Sequence, residues 1–344
     1  MQQRSSKTLL KSTIYVIIVA ILVYVIVYLP TPYMIEQPGT AEEVKPMIKV
    51  KVGDPEEKGT FMLTTVSVTY ANLALLAMSR FNRQSEIVEK PKDQGTKEYE
   101  TQQVYYMTDS QSNAMTEAYN LAKVPYQIVP EYVFIVALSK DPAPKGNFVS
   151  GDIVREIEGK ALTRFEDLSS ALRGHKVGDH VQVLLERDGK RMNENVELIP
   201  LKDAATGEVR AGLGVSLGEY RKVKANDPNK QVEFASTQIG GPSAGLMFTM
   251  EIYNQLTPGD LSKGYRIAGT GTIGTDGSVG PIGGVQFKIV AANREKADLF
   301  FVPEKNYDIA KKKADEIGTN MKLISVKKAQ DVLDYLSKLP PKSE

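Results

Sequence analysis

Cysteine is absent from the 344 residues. That one absence excludes a thiol nucleophile, a disulfide framework and a thiolate metal site together. Histidine is nearly absent: His175 and His180 are the only two, both mid-chain. No H-E-x-x-H pair and no His-based metal set can be assembled from them, so neither metal nor cofactor is expected. No G-x-x-x-x-G-K-[ST] loop occurs, so nothing cradles a nucleotide phosphate in that way. Net charge is lacking too: the formal value of +1 gives no electrostatic reason for a nucleic-acid partner. The rest of the composition, 25% charged and 42% hydrophobic, is that of an ordinary globular chain. Its length suits two or three folded units.

Long apolar runs are missing with one exception. Ser12 to Leu29 carries no charge and is rich in Ile, Val and Leu. At about 1.5 Å per residue it spans most of a ~30 Å hydrocarbon core. Arg4, Lys7 and Lys11 precede it, and Glu36, Glu42 and Glu43 follow. The basic flank predicts a cytoplasmic tail at residues 1–11, a single-pass anchor at 12–30, and the rest of the chain on the extracellular side of the cell membrane. The alternative is a cleaved signal peptide. The length of the stretch and the lack of an Ala-x-Ala site after it favour the anchor.

Beyond the anchor, residues 31–123 form the first extracytoplasmic part. Pro38-Gly39-Thr40 reads as a chain break, and 47–52 and 59–68 as two strands joined by a polar loop. Residues 69 to about 88 have helical spacing, 91–103 are polar and loop-like, and 104–122 are helical again. A second unit covers 124–202. It has an apolar strand Val133–Leu138, then Val149-Ser-Gly-Asp-Ile-Val, a helix at 164–173, and Val181–Lys190 with an Arg-Asp-Gly-Lys turn. The pattern xSGDIVxxIxGK followed by VGDxVxVxxxRDGK resembles a PDZ domain. The resemblance implies a peptide added as a strand along a sheet edge. The residues it points to are Tyr132, Val133, Phe134, Ile135 and Val136. The loop before them lacks the usual Gly-Leu-Gly-Phe form, and a plain β-rich spacer is the alternative.

The third unit, 203–344, alternates strands and helices, and the chain as a whole reads as α+β. Gly240-Gly-Pro-Ser-Ala-Gly245 precedes an apolar segment Leu246–Leu256 that reads as a helix. Ser243 therefore stands near a helix start, where free N–H groups and the positive dipole end can hold an oxyanion. A bare serine there is otherwise an N-cap. Gly241-Pro-Ser-Ala-Gly245 also fits the G-x-S-x-G elbow, but no histidine follows it to complete an esterase triad. The base must then be a carboxylate or a lysine of lowered pKa. Lys288 has the most suitable context. A helix starting after Gly284 puts Val285, Lys288 and Ala292 on one face, although a lysine that snorkels to solvent is the common alternative.

Thr237-Gln-Ile-Gly-Gly-Pro-Ser-Ala-Gly245, Gly269-Thr-Gly-Thr-Ile273, Gly280-Pro-Ile-Gly-Gly284 and Lys288 together resemble the proteolytic domain of Lon proteases. Ala291-Ala-Asn-Arg and Phe301-Val-Pro-Glu304 match the pattern too. The resemblance implies a Ser-Lys dyad of Ser243 and Lys288, with Thr270 supporting it. It places the oxyanion at backbone groups of Gly241, Pro242 and Ala244. Gly240 and Thr272 stand where Lon enzymes often have acidic residues. Anchor, PDZ-like unit and Lon-like unit in that order resemble the membrane-anchored PDZ-containing Lon-like proteases of Gram-positive bacteria. The expectation is an ATP-independent endopeptidase acting on peptides or unfolded proteins, assembled as a homo-oligomeric ring. A tethered PDZ scaffold with an inert Lon-like unit is the alternative.

Overall fold

The computed structural model describes residues 2–54, 58–90, 96–202, 207–236 and 239–343. Helix α1 (Gln2–Tyr28) contains the apolar run, and within it Leu10–Tyr28 has a mean hydropathy of 2.5. From Leu10 onward its apolar side chains are mostly exposed, and only its last turns meet the rest of the protein, at α2 (Leu73–Ser79).

Strand β1 (Tyr33–Glu43) runs straight through the expected break at Pro38-Gly39-Thr40. A bulge between Pro38 and Ala41 absorbs the irregularity, and Thr40 N–H donates to Thr65 Oγ1 at 2.9 Å. The short β2 (Ile48–Val50) and the long β3 (Thr60–Tyr70) do not pair with each other; β3 lies antiparallel to β1 instead. The expected helix over 69–88 is also corrected. Strand β3 continues to Tyr70, α2 is confined to Leu73–Ser79, and β4 (Glu86–Glu89) pairs with β1. Sheet pairing overrides helical spacing there. The expected loop at 91–103 is half wrong. Residues 91–95 lie outside the described residues, but α3 (Thr96–Leu121) is helical from its first turn. Its opening is polar because burial begins only at Met107, Ala114, Ala118 and Tyr119.

The central sheet holds β5 (Tyr126–Leu138), β6 (Ile153–Ile157) with the short β7 (Lys160–Ala161), then, after helix α4 (Phe165–Ala171), β8 (His180–Arg187) and β9 (Lys190–Glu197). Its core is Ile135, Val154, Ile157, Val181, Val183, Leu185 and Val196. A hairpin of β10 (Ile199–Lys202) and β11 (Val209–Gly212) follows. The sheet does not stop near residue 202. Strand β12 (Val215–Ala225) returns to pair antiparallel along the whole of β5.

The C-terminal unit opens with β13 (Val232–Phe234), which pairs with β2. It continues through α5 (Gly245–Leu256), β14 (Arg266–Gly269), the hairpin β15 (Thr272–Ile273) and β16 (Val279–Gly280), and α6 (Val285–Arg294). It ends with β17 (Leu299–Pro303), α7 (Tyr307–Ile317), β18 (Lys322–Val326) and α8 (Ala329–Lys338). Six strands form one mixed sheet in the order β18-β17-β14-β3-β1-β4. The region before residue 90 thus supplies half of the sheet on which the C-terminal unit is built. Phe61, Leu63, Leu299 and Phe301 face the core around α5. Met62, Phe300 and Val302 face α6 and α7. Strands buried on both faces read as continuous apolar runs, which is why Leu299–Val302 carries no polar residue. Helix α5 is buried nearly all round, and each large side chain it buries contributes about 1.5–3 kcal/mol.

Candidate active site

The segment 240–244 forms a tight approach to α5. Gly241 has φ +87°, a conformation that glycine adopts at little cost. Its N–H donates to the Gln103 carbonyl of α3 at 3.0 Å, and Ser110 Oγ of the same helix donates to Pro242 O at 3.0 Å. A Cβ on Gly240 would come within 2.9 Å of Gln103 Cβ. The glycine pair therefore lets α3 lie directly against the loop. The other side of the loop is held by the segment after β14. Gly271 N–H and Thr270 Oγ1 both donate to Ser243 O, at 2.9 and 3.0 Å. Ser243, clamped from both sides, opens onto a cavity of about 540 Å³. The N–H groups of Ser243 and Ala244 come before the first intrahelical bond of α5, Phe248 N to Ala244 O.

Lys288 approaches from α6. That helix starts on Gly284 at φ +67°, where a Cβ would meet Val66 Cγ2 at 2.8 Å. Asn306 fixes the preceding turn: Ile282 N–H donates to its Oδ1 at 2.9 Å and its Nδ2 donates to Ile282 O at 2.8 Å. One turn into α6, Lys288 is 3% exposed beside buried Val285 and Ala292. Its Nζ lies 2.8 Å from Ser243 Oγ, 3.1 Å from Thr270 Oγ1 and 2.7 Å from Thr64 O. Burial drives its pKa from 10.5 down to about 7. An amine shielded from water loses the solvation of its charged form, and here no carboxylate restores it. Glu36 on the cavity wall is shifted the other way, upward, first by burial and then by Glu86.

The structure brings Ser243, Lys288 and Thr270 together, with Gly241, Pro242 and Ala244 in the same loop. The expected oxyanion role is corrected for two of these: Pro242 has no N–H to donate, and the N–H of Gly241 is spent on Gln103 O, which leaves Ala244 and Ser243 as the free donors. Thr237 and Gln238, at the head of the Ser243 motif, lie outside the described residues. Three contributors were not visible in the sequence. Thr64 acts through its carbonyl, which no residue type announces. Gln103 and Ser110 sit on a helix that has no motif of its own. Tyr132, Val133, Phe134, Ile135 and Val136 do not form a free edge. Strand β12 pairs with β5 on one side, Tyr220 opposite Tyr132 and Gly218 opposite Phe134. Strand β6 takes Val133 and Phe134 on the other. From Val133 to Ile135 both sides of the strand are already taken, Ile135 by the turn at 151–152, so strand addition there is blocked. The rings of Tyr132 and Phe134 instead wall a cavity of about 450 Å³ shared with α3 and β12.

Residues 204–338 match the family model of the Lon protease (S16) C-terminal proteolytic domain, and 123–198 match that of the PDZ domain. The chain carries a Lon-type proteolytic domain. A Lon protease of Campylobacter concisus is 31% identical over 156 residues, which is 44% of this chain and 18% of that protein. Lon protease 2 of Bacillus subtilis is 33% identical over 120 residues, 35% of this chain and 21% of that protein. The chain thus spans about a fifth of the length of these relatives. A solved PDZ domain of an SdrC-like protein from Listeria monocytogenes is 21% identical, covering 25% of this chain and 87% of that one, with a TM-score of 0.21. The Lon-type match reaches only as far back as residue 204, whereas the Thr64 carbonyl that holds Lys288 comes from β3.

Proposed function

We propose that the protein is a membrane-anchored, ATP-independent serine endopeptidase in which Ser243 is the nucleophile and Lys288 its general base. The observation that carries this reading is how the hydrogen bonds around Lys288 divide. The carbonyl of Thr64 can only accept, so it takes one N–H of the amine. The Thr270 hydroxyl donates its hydrogen to Ser243 O, so towards Lys288 it accepts as well. A neutral amine has two N–H bonds and one lone pair. Both N–H bonds are thereby committed, and the lone pair faces Ser243 Oγ at 2.8 Å.

The chemistry follows. Lys288 takes the proton of Ser243 Oγ as that oxygen attacks a peptide carbonyl carbon. The carbonyl π electrons move onto oxygen, and the N–H groups of Ser243 and Ala244 at the head of α5 hold the resulting oxyanion. Collapse expels the amine, which leaves with the proton from Lys288. A water molecule, deprotonated by Lys288, then releases the acyl group and restores the serine.

The sequence contains no phosphate-cradling loop and therefore no nucleotide-driven unfolding of its own. Substrates are short, unfolded or loosely folded segments on the extracytoplasmic side. Helix α1 is long and apolar enough to cross a bilayer, and the basic residues before it favour a cytoplasmic N-terminus. The test is cleavage of an unfolded polypeptide by the purified chain, by Ser243→Ala and by Lys288→Arg. Both variants should lose cleavage by 10³-fold or more, since an arginine in place of the amine stays protonated. Undiminished cleavage by either would remove the dyad from the reaction.

A further inference from the structure

Helix α2 turns apolar side chains outward. Leu73, Met78 and Phe81 are 44%, 68% and 90% exposed. Leu73 and Ala77 are spaced four apart and fall on one face of α2, with Met78 beside them, and Phe81 follows in the turn after the helix, its N–H donating to Met78 O at 3.1 Å. Leaving three large apolar side chains in water forgoes stabilisation that burial would supply.

The position of this face indicates what covers it. Asn72, the N-cap of α2, donates from Nδ2 to Val27 O in the last turn of α1 at 2.6 Å. Thr31 Oγ1 donates to Ala71 O at 2.5 Å. The start of α2 is therefore bonded to the end of the apolar span. Tyr24 and Tyr28 stack there at 5.5 Å, aromatic rings of the kind that gather at a bilayer boundary. Arg80 and Arg83 flank Phe81, as suits a segment lying among lipid headgroups.

We infer that α2 and Phe81 lie in the interfacial layer of the bilayer that α1 crosses, as a second membrane contact whose occupant is lipid. This rests on the reading of α1 as an anchor. The contact is braced against the catalytic side. Gln84 and Glu86 follow α2 in the chain, and Arg294 and Gln286 of α6 donate to them at 2.6 and 3.2 Å. Strand β3 runs from Tyr70, beside α2, to Thr64 at the amine of Lys288. Six residues at about 3.4 Å each put Thr64 about 20 Å along the strand from Tyr70, so the dyad stands a few tens of ångströms at most from that surface. A single helix followed by a short linker lets a domain swivel; two contacts hold the cleft at one height. The substrate class is then polypeptide segments that stand close to the membrane.

The sequence contains no tryptophan, so a single introduced indole reports only its own surroundings. The experiment uses the full chain in phosphatidylcholine–phosphatidylglycerol vesicles with lipids brominated high on the acyl chain. Three variants are compared: Phe81→Trp, Tyr24→Trp in α1, and Phe165→Trp at the start of α4. Quenching of roughly two-fold or more is expected for the first two and none for the third. An unquenched Phe81→Trp beside a quenched Tyr24→Trp overturns the second contact while leaving the anchor intact. An unquenched Tyr24→Trp sinks the anchor reading itself, and the inference with it. Quenching of Phe165→Trp overturns the inference by showing adsorption without orientation. A substrate sequence held close to the bilayer by a short tether, on the order of a few tens of ångströms, should be cut. If only long-tethered versions are cut, the assigned height is wrong.

Discussion

Lys288 Nζ and the main-chain oxygen of Thr64 lie 2.7 Å apart, although 224 positions separate them. This bond holds the amine in place without giving it a negative partner. A carboxylate there would stabilise the ammonium and raise the pKa; a carbonyl takes one N–H and leaves burial to set the protonation state. The rate of cleavage should report this. Activity requires the neutral amine, so kcat/KM should rise with pH, with a midpoint near the lowered value of about 7, and level off above it. A midpoint above 9, measured on a substrate without ionisable groups near the scissile bond, would mean that the working base is an ordinary solvated lysine.

The same burial sets a pH dependence of stability. In the folded chain Lys288 titrates near 7, and in the unfolded chain near 10.5. Below about 7 both states are protonated, and the folded state bears the full cost of a buried charge. Between about 7 and 10.5 the unfolded state binds more protons, so stability rises with pH, by on the order of 5 kcal/mol at most over the window. Urea unfolding of Ser243→Ala should show this rise. Lys288→Met, which keeps the volume and removes the titration, should flatten it and be the more stable of the two at pH 6. Parallel pH profiles for the two variants would count against a lysine perturbed by burial.

Thr270 connects the two halves of the dyad, accepting from the amine and donating to Ser243 O at 3.0 Å. Thr270→Val keeps the shape and removes both bonds. An N–H of Lys288 then loses its acceptor, at a cost of about 1–3 kcal/mol. The expected result is a fall in kcat of roughly 10- to 100-fold with KM little changed, and recovery in Thr270→Ser. A drop confined to KM would place the threonine in substrate binding instead.

Gly240 and Gln103 form a steric pair. Alanine at 240 brings its Cβ within 2.9 Å of Gln103 Cβ and must move either α3 or the loop that carries Ser243. Overpacking of this kind costs about 1–3 kcal/mol, and here it acts on the loop that carries Ser243. Gly240→Ala should lower kcat at least several-fold. Gln103→Gly in the same chain should restore part of it, despite about 1 kcal/mol of lost helix propensity. Additive losses in the double variant, read from steady-state rates, would show that α3 does not set the loop.

The residues that converge at the site were largely legible because they lie in short segments whose residue types are constrained one by one. Gly241 must tolerate φ +87°, Ser243 must sit at the head of an apolar helix, and Lys288 must share a helix face with Val285 and Ala292. The apolar span was legible for a similar reason: each residue meets the same requirement independently. Tertiary structure decided what depends on distant partners. Whether 69–88 is a helix or a strand end rests on β1 lying alongside. Whether Val133–Val136 is a free edge rests on β12, some eighty residues later in the chain. The Thr64 carbonyl is a main-chain atom common to every residue, so its role comes from register alone. Local patterning specifies side-chain chemistry and periodicity; pairing of backbone groups far apart in the chain leaves no residue-specific mark, and only the folded sheet assigns it.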